Sequence, residues 1–552
     1  MGNNNTIKSS RKLFYNGKFF TLDKQNTVVC GLIVENKKIV EILNTEEDVQ
    51  RNFNINKKIN CEGKIIIPGF IMSHTHFLTY SFISNGGISV SPMNLFFDDN
   101  YIPPTTSKEV IERLKTSSFN EIIFAQGYDP ILQPGNIITR LDLDGVSTTK
   151  PVYLMSASMH CIYVNTLVLI NAGLIESIKD DGTIVLSDKV PDNIKDEVSS
   201  GEFPEEAMFL IADTFPKTSY EKIIEGLNCG SKILNKKGIT TVGDATVPLS
   251  IFPIYRDYSF LNPKIRIVCF PIYDENITKF VHGSFIIPNK LPNTDYFFTG
   301  PTKIIGDGSI AGYTAFLTEP YISTPFFDVE NPNEWKGIPD YTKFQLYEVF
   351  GNIYKSGNEI AIHANGDADI DYILESFEIA QKKYNIINHR TRIEHCTMVR
   401  SDQLERIKNL EIMPSFLNNH LYYYGDSFYE NLIGERAQRI DPAGEAYKMN
   451  IIFDFHSDAP VTPPDPLFQI WIAVNRLTKN GTLLGKDQCI PVLEAVKAFT
   501  INSAYSLKID NKVGSLEIGK FADMVILSED IFSSDNILNI KILHTFLGGK
   551  KL

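Results

Sequence analysis

The chain has 552 residues, more than one hydrophobic core usually supports, so two or three structural units are expected. Its 43% hydrophobic and 22% charged content is ordinary for a globular protein in water, and its formal charge of -13 argues against a phosphate-backbone partner such as nucleic acid. Seven scattered cysteines without a CxxC pair argue against a disulfide framework, and no run approaches the roughly 20 apolar residues of a membrane span, so a cytoplasmic protein is expected.

Read from the start, Met1-Gly2-Asn3-Asn4-Asn5-Thr6 is a polar tail that also fits the short N-myristoylation template, with Lys8, Arg11 and Lys12 as the basic residues that would assist it. From Lys12 to about Asn60, β-rich runs such as Lys12-Leu13-Phe14-Tyr15 and Gly31-Leu32-Ile33-Val34 are separated by turn signals at Asn16-Gly17 and Asn36-Lys37. The apolar run Ile65 to Met72 then ends in His74-Thr75-His76, two imidazoles one residue apart, which in a strand project from one face. The stretch from Phe77 to about Gly300 is too long for one connection and is expected to contain an inserted unit.

Beyond it, buried-type strands alternate with helical patterns: Lys303 to Asp307, Glu359 to His363, Thr391 to His395 and Ile451 to Phe455, with a helix over Ile370 to Lys383. This alternation predicts βα units around a parallel sheet. Val513 to Leu527 passes two glycine turns into a last apolar strand, so both ends of the chain are expected to build one β-domain.

Four of these strands end on residues that bind metals: the His74/His76 pair, His363, His395 and, after the last, Asp458. Taken singly, each would read as a hydrogen-bonded or capping residue. Together at successive strand ends, where a (β/α)8 barrel gathers its chemistry, they point to a shared metal site.

The constellation resembles the amidohydrolase superfamily. Pro68-Gly69-Phe70, Lys303-Ile304-Ile305-Gly306-Asp307-Gly308-Ser309, His363-Ala364-Asn365-Gly366-Asp367-Ala368, Arg392-Ile393-Glu394-His395, Ser457-Asp458-Ala459-Pro460 and Gly514 to Asp523 are similar to its N-substituted formamide deformylase branch, in order and over nearly the whole chain. The resemblance implies an α/β fold: a TIM-type (β/α)8 barrel over 68–504, a β-sandwich from 12–67 and 505–552, and an insertion after the first barrel strand, within about 77–300. It implies two zinc ions per chain, with His74, His76 and Asp458 on one, His363 and His395 on the other, and an N6-carboxylated Lys303 bridging them. An unmodified lysine paired with Asp307 or anchoring substrate is the plainer alternative.

The reaction implied is hydrolysis of a small-molecule amide. A metal lowers the pKa of its water toward about 7 and polarises a carbonyl. Asp458 is then the expected general base, passing a proton to the departing amine. A deaminase of the same superfamily is the second enzyme reading, disfavoured by the lysine segment and by the lack of a His-x-x-Glu after the fifth strand. A non-catalytic binding or signalling protein that keeps the fold is the third.

His160, in an apolar stretch before Cys161, and His420, among Tyr422, Tyr423 and Tyr424, are candidate substrate contacts, each also readable as core. Asp307 and Asp367 read first as turn formers and second as partners of ligand histidines. Glu205 resembles the family's acidic position but departs from its more apolar surroundings, and His282, His389 and His544 read as surface or structural residues. A homo-oligomer is the commonest assembly for such proteins.

Overall fold

The computed structural model describes residues 11–117, 121–180, 182–215, 218–273, 293–323, 334–387 and 389–552. The tail Met1 to Thr6 with Lys8, the whole of His282 and the side chain of Glu205 lie outside them. The chain divides into two compact units. One takes in the described residues of Met1–His76, Ser231–Asp458 and Pro464–Leu552, the other those of Phe77–Gly230 and Ala459–Pro463.

In the first unit the chain opens with β1 (Lys12–Phe20), β2 (Val28–Glu35), β3 (Lys38–Leu43), β4 (Lys57–Pro68) and β5 (Phe70–Thr75). The Asn16-Gly17 pair expected as a turn lies inside β1. It forms an irregularity in register between Tyr15 and Phe19, with Asn16 at φ 55°, so one strand bends where two were anticipated. Asn36 and Lys37 do form the turn between β2 and β3, at φ 49° and 73°.

The second unit holds β6 (Ile88–Ser89), β7 (Ile123–Tyr128), β8 (Val152–Ser156), β9 (Cys161–Val164), the hairpin β10 (Ile175–Ile178) with β11 (Ile184–Leu186), and β12 (Glu202–Pro204). Its sheet runs β12-β9-β8-β7-β6, parallel from β6 to β8 and antiparallel at β9 and β12. Val90, Val110, Ile123, Val152 and Leu154 pack one side of it, and Tyr153, Ile162, Val164 and Phe203 lie in a second cluster.

Returning to the first unit, β13 (Ile239–Val247), β14 (Arg266–Pro271) and β15 (Phe297–Thr299) join β5 in a four-stranded sheet ordered β15-β14-β13-β5. Next, β16 (Thr302–Ile305), β17 (Ile360–Ala364), β18 (Arg392–His395), β19 (Met413–Phe416) and β20 (Asp454–Phe455) form a five-stranded sheet in sequence order. Every neighbouring pair in both sheets is parallel. Most residues of these strands are buried, and β14, β17, β18 and β19 are buried throughout, as expected for parallel strands covered on both faces.

Two links connect the sheets. A parallel bridge pairs Ile272 with Lys303, reinforced by the Tyr273 N–H donating to the Lys303 carbonyl at 2.8 Å. At the other side, Ser73 Oγ on β5 donates to Asp454 Oδ1 on β20 at 3.0 Å. The helix anticipated over Ile370 to Lys383 runs Asp367–Tyr384, starting immediately after the β17 turn.

The chain closes with β21 (Met524–Leu527), β22 (Ile542–Leu547) and β23 (Lys550–Lys551). These complete one seven-stranded sheet, β23-β22-β21-β4-β1-β2-β3, in which β21 pairs antiparallel with β4. Phe14, Leu32, Ile66, Met524 and Phe546 share its core, so both ends of the sequence are held by one apolar cluster. All seven cysteines are free. Among the described residues no helix is long and apolar enough to cross a membrane.

Candidate metal centre

Register and backbone conformation together assemble the polar centre. The pairing of β17 to β20 sets His363, Glu394, Ser415 and Asp454 side by side in one row across four strands. Alternation would send the next residue, His395, to the other side. Instead His395 and Cys396 adopt φ 67° and 51°, and the His395 ring comes within 4.4 Å of the His363 ring, centroid to centroid. Asp458 likewise has φ 54°. Left-handed backbone at non-glycine residues is costly and collects at functional sites.

Three of the anticipated ligands converge at one point. Asp458 Oδ1 lies 3.3 Å from His74 Nε2 and 3.1 Å from His76 Nε2. Yet His74 Nε2 and Asp458 Oδ1 are buried without a hydrogen bond. The other nitrogen of His74, Nδ1, is 2.5 Å from Glu394 Oε2, so it carries the proton and Nε2 keeps its lone pair. A buried nitrogen lone pair beside a carboxylate oxygen is unfavourable unless a cation stands between them. The donor set His74, His76 and Asp458 therefore fits a divalent metal.

His363 and His395 form a second group. His363 Nε2 lies 3.0 Å from the Gly308 carbonyl and 3.1 Å from Asn365 Nδ2. The His74 and His395 rings are 5.2 Å apart, which joins the two groups. Burial keeps His395 and His76 below the ordinary imidazole range and hence neutral, the state that binds metal.

Lys303 is 1% exposed, on the strand beside that of His363. Burial pulls its ammonium down to about 8 against the opposing charges of Glu394 and Asp458.

His420 is the second residue of the helix Asn419–Ser427 and packs 5.6 Å from the Tyr424 ring and 5.9 Å from that of Phe428. Its Nδ1 is buried without a hydrogen bond, and burial lowers its pKa to about 4. The charge of Asp458 opposes that shift. His160 lies in the second unit, half-buried in the bend between β8 and β9, with its N–H donating to Ser158 Oγ at 3.3 Å.

Asp307 accepts from the N–H groups of Asn365, Gly366 and Phe316 at 2.8–3.0 Å, which makes it chiefly a builder of the loops after β16 and β17. Asp367 does the same for Thr318 and meets Arg439 at 3.0 Å.

Sequence reading passed over the support beneath the ligands. Arg392 binds Glu394 in bidentate fashion, 2.6 and 2.9 Å, and Glu394 in turn fixes His74. Burial would raise the Glu394 carboxyl, but Arg392 and His74 reverse this and hold it well below the usual range. The signal was available: two charges spaced by two in the strand Arg392-Ile393-Glu394-His395 share a buried face. His456, two residues before Asp458, was also missed; it stacks on His74 with centroids 4.8 Å apart.

The model of the amidohydrolase family matches residues 57–552. Protein LONG AFTER FAR-RED 3 of Arabidopsis thaliana is 27% identical over 98% of this chain and 91% of its own length. N-substituted formamide deformylase of Arthrobacter pascens is 22% identical over 97% of each. Among solved structures, an uncharacterized metal-dependent hydrolase from Pyrococcus horikoshii OT3 shares the fold with a TM-score of 0.74, at 22% identity over 95% of this chain and 99% of that one. With most of its length matched by that model, the chain belongs to the amidohydrolase family, on the branch that includes N-substituted formamide deformylase.

Proposed function

We propose that the protein is a metal-dependent hydrolase of non-peptide carbon–nitrogen bonds in small molecules, with N-substituted formamides as its substrate class. The observation that carries this is the contact of His74 Nε2 and Asp458 Oδ1, two buried acceptors 3.3 Å apart with no hydrogen bond. The A. pascens relative's name supplies the substrate class.

In this reading β5, β13, β14 and β16 to β20 are the eight strands of a TIM-type barrel over 68–504, with an inserted unit and a β-domain from 12–67 and 505–552. His74, His76 and Asp458 hold one zinc and His363 and His395 a second. Lys303, whose lowered pKa makes the neutral amine accessible, would add carbon dioxide and lose a proton to give a carbamate that could help to hold the ions. When bound, the metals supply an acidified water and a polarised formyl carbonyl.

The chain's own groups then move the protons. Asp458 uses Oδ1 toward the imidazole pair and takes the proton of the attacking water on its carboxylate. It returns that proton to the amine nitrogen as the C–N bond breaks, giving formate and a free amine. His420 and the rings of Tyr424 and Phe428 provide an apolar wall with one polar nitrogen for the N-substituent.

Two measurements test this. Plasma emission on purified protein should find divalent metal on every chain; none after supplementation would sink the proposal. Formate release from a panel of N-substituted formamides should require Asp458, so equal turnover by Asp458→Asn would remove its role as base.

A further inference from the structure

One buried imidazole beside this centre has no place in the ligand set. His456 directly follows β20 and is fully buried. Its Nδ1 is 2.9 Å from Ser415 Oγ, and its Nε2 is 3.1 Å from His395 Nδ1. Gln469 Nε2 donates to the His456 carbonyl at 2.7 Å, and the ring lies nearly flat on His74, at 29°.

The proton positions follow from counting donors. Ser415 gives its hydroxyl proton to Asp454 Oδ1, and its oxygen accepts from Arg392 Nη2 at 2.9 Å. Toward His456 that oxygen can only accept again, so His456 carries its proton on Nδ1. In a neutral imidazole, a proton on Nδ1 leaves Nε2 as a lone pair. That lone pair faces His395 Nδ1, and a 3.1 Å contact between two ring nitrogens is favourable only with one proton in it. The proton must then sit on His395 Nδ1, which leaves Nε2 of His395 as its metal-binding atom.

We infer that His456 is a positioning residue: through the chain Asp454, Ser415, His456, His395 it locks His395 in the tautomer that offers Nε2 to a metal. The inference rests on the metal-site reading above and adds to it a cause for the His395 orientation. Ligand histidines ordinarily make this second hydrogen bond to a carboxylate or a backbone carbonyl. Here an imidazole takes that place, and it passes the demand for a proton outward to Asp454. The competing geometry is direct ligation, since one ring nitrogen from each of His74, His395 and His456 lies within 4.8 Å of the other two. Direct ligation would require His74 Nε2, already turned to Asp458, to serve both groups.

The test uses full-length protein titrated with cobalt(II) or zinc(II) against a competing chelator, so it reads affinity and stoichiometry without reference to turnover. His456→Phe removes the acceptor and should weaken binding about 10- to 100-fold while leaving the saturating stoichiometry unchanged. His456→Gln, whose carbonyl can accept the same hydrogen, should stay within about threefold of wild type. Ser415→Ala, which deprives His456 Nδ1 of its acceptor, should fall between the two and covers the case in which the Phe variant does not fold. Wild-type affinity in His456→Phe or Ser415→Ala overturns the inference, as does a Gln variant as weak as the Phe one. Loss of one whole ion at saturation in His456→Phe assigns direct ligation instead. A wild-type chain that takes up no metal overturns this inference together with the function it rests on, whereas the other failures leave that function standing.

Discussion

The beginnings and the ends of the parallel strands are equally buried and differently finished. Near the beginnings, Ile71 of β5 and Ala361 of β17 pack with Leu507, Ile509, Val513 and Phe521 of the C-terminal segment. Arg266, first residue of β14, is fully buried there. It meets both oxygens of Asp523 at 2.6 and 2.8 Å and lies 3.9 Å from the centre of the Phe521 ring. Near the ends, His74, His363, His395 and Asp458 are also buried, but Asp458 Oδ1 and His74 Nε2 are left without a hydrogen bond. A satisfied charge pair at one end stabilises the fold, whereas the unpaired polar atoms at the other suit a cation. Substitutions at the two ends should therefore separate stability from chemistry.

The largest effect belongs to the strand ends. Asp458→Asn should lower kcat/KM for a formamide by about 10²- to 10⁴-fold, the range ascribed to a positioned acid or base, and should also weaken metal retention. Its far-ultraviolet circular dichroism should match wild type. A variant that unfolds instead would show that Asp458 is structural and would dissolve the contrast.

At the strand beginnings the opposite outcome is expected. Asp523→Ala leaves the Arg266 guanidinium buried without its carboxylate and should cost about 3–5 kcal/mol of unfolding free energy, read from the denaturant midpoint. Turnover per folded molecule should stay near wild type. A fall in kcat without loss of stability would mean that the two ends are coupled.

Glu394→Gln probes the layer between them. Its carboxylate joins Arg392 to His74, so the amide should let His74 rotate or change tautomer and reduce metal affinity about 10- to 100-fold. Chelator competition distinguishes this from a stability defect, and unchanged affinity would show that His74 is held by packing alone.

Much of this arrangement could be read from the chain. The His74/His76 pair, His363, His395 and Asp458 stood out because each ends an apolar strand, and the structure brings their side chains together. The hydrogen-bonded layer around them was less legible. Arg392 meets Ser415, Ser415 meets Asp454 and His456 meets His395 across 23, 39 and 61 residues of sequence, and local patterning carries no record of such pairings. The left-handed backbone at His395 was equally hidden, because no glycine or asparagine marks it. In β1 the Asn16-Gly17 signal was real but produced a bend within a strand, since β4 continues to pair with β1 on both sides of it.

The smallest effect tests whether an orphaned carboxylate by itself implies a cation. Asp369, in the helix after β17, is fully buried with neither oxygen hydrogen-bonded, as Asp458 Oδ1 is. Its neighbours are acids rather than imidazoles. Burial, then the charges of Asp307 and Asp340, push its carboxyl well above the ordinary value, and burial likewise raises Asp307 to about 7 against its three backbone N–H bonds. A group whose folded pKa is raised binds its proton more tightly in the folded chain. Such a contribution to stability is fullest below the unfolded value near 3.8 and is lost as pH rises through the folded value, about 7 for Asp307 and likewise raised for Asp369. Asp369→Asn should therefore leave the denaturant midpoint nearly unchanged at pH 4 and raise stability at pH 8 by about 1 kcal/mol, the scale of one pKa unit. Added zinc should not alter that difference. If zinc instead stabilises wild type but not Asp369→Asn, this aspartate is a ligand too, and an unpartnered buried oxygen would mark a metal site wherever it occurs in this fold.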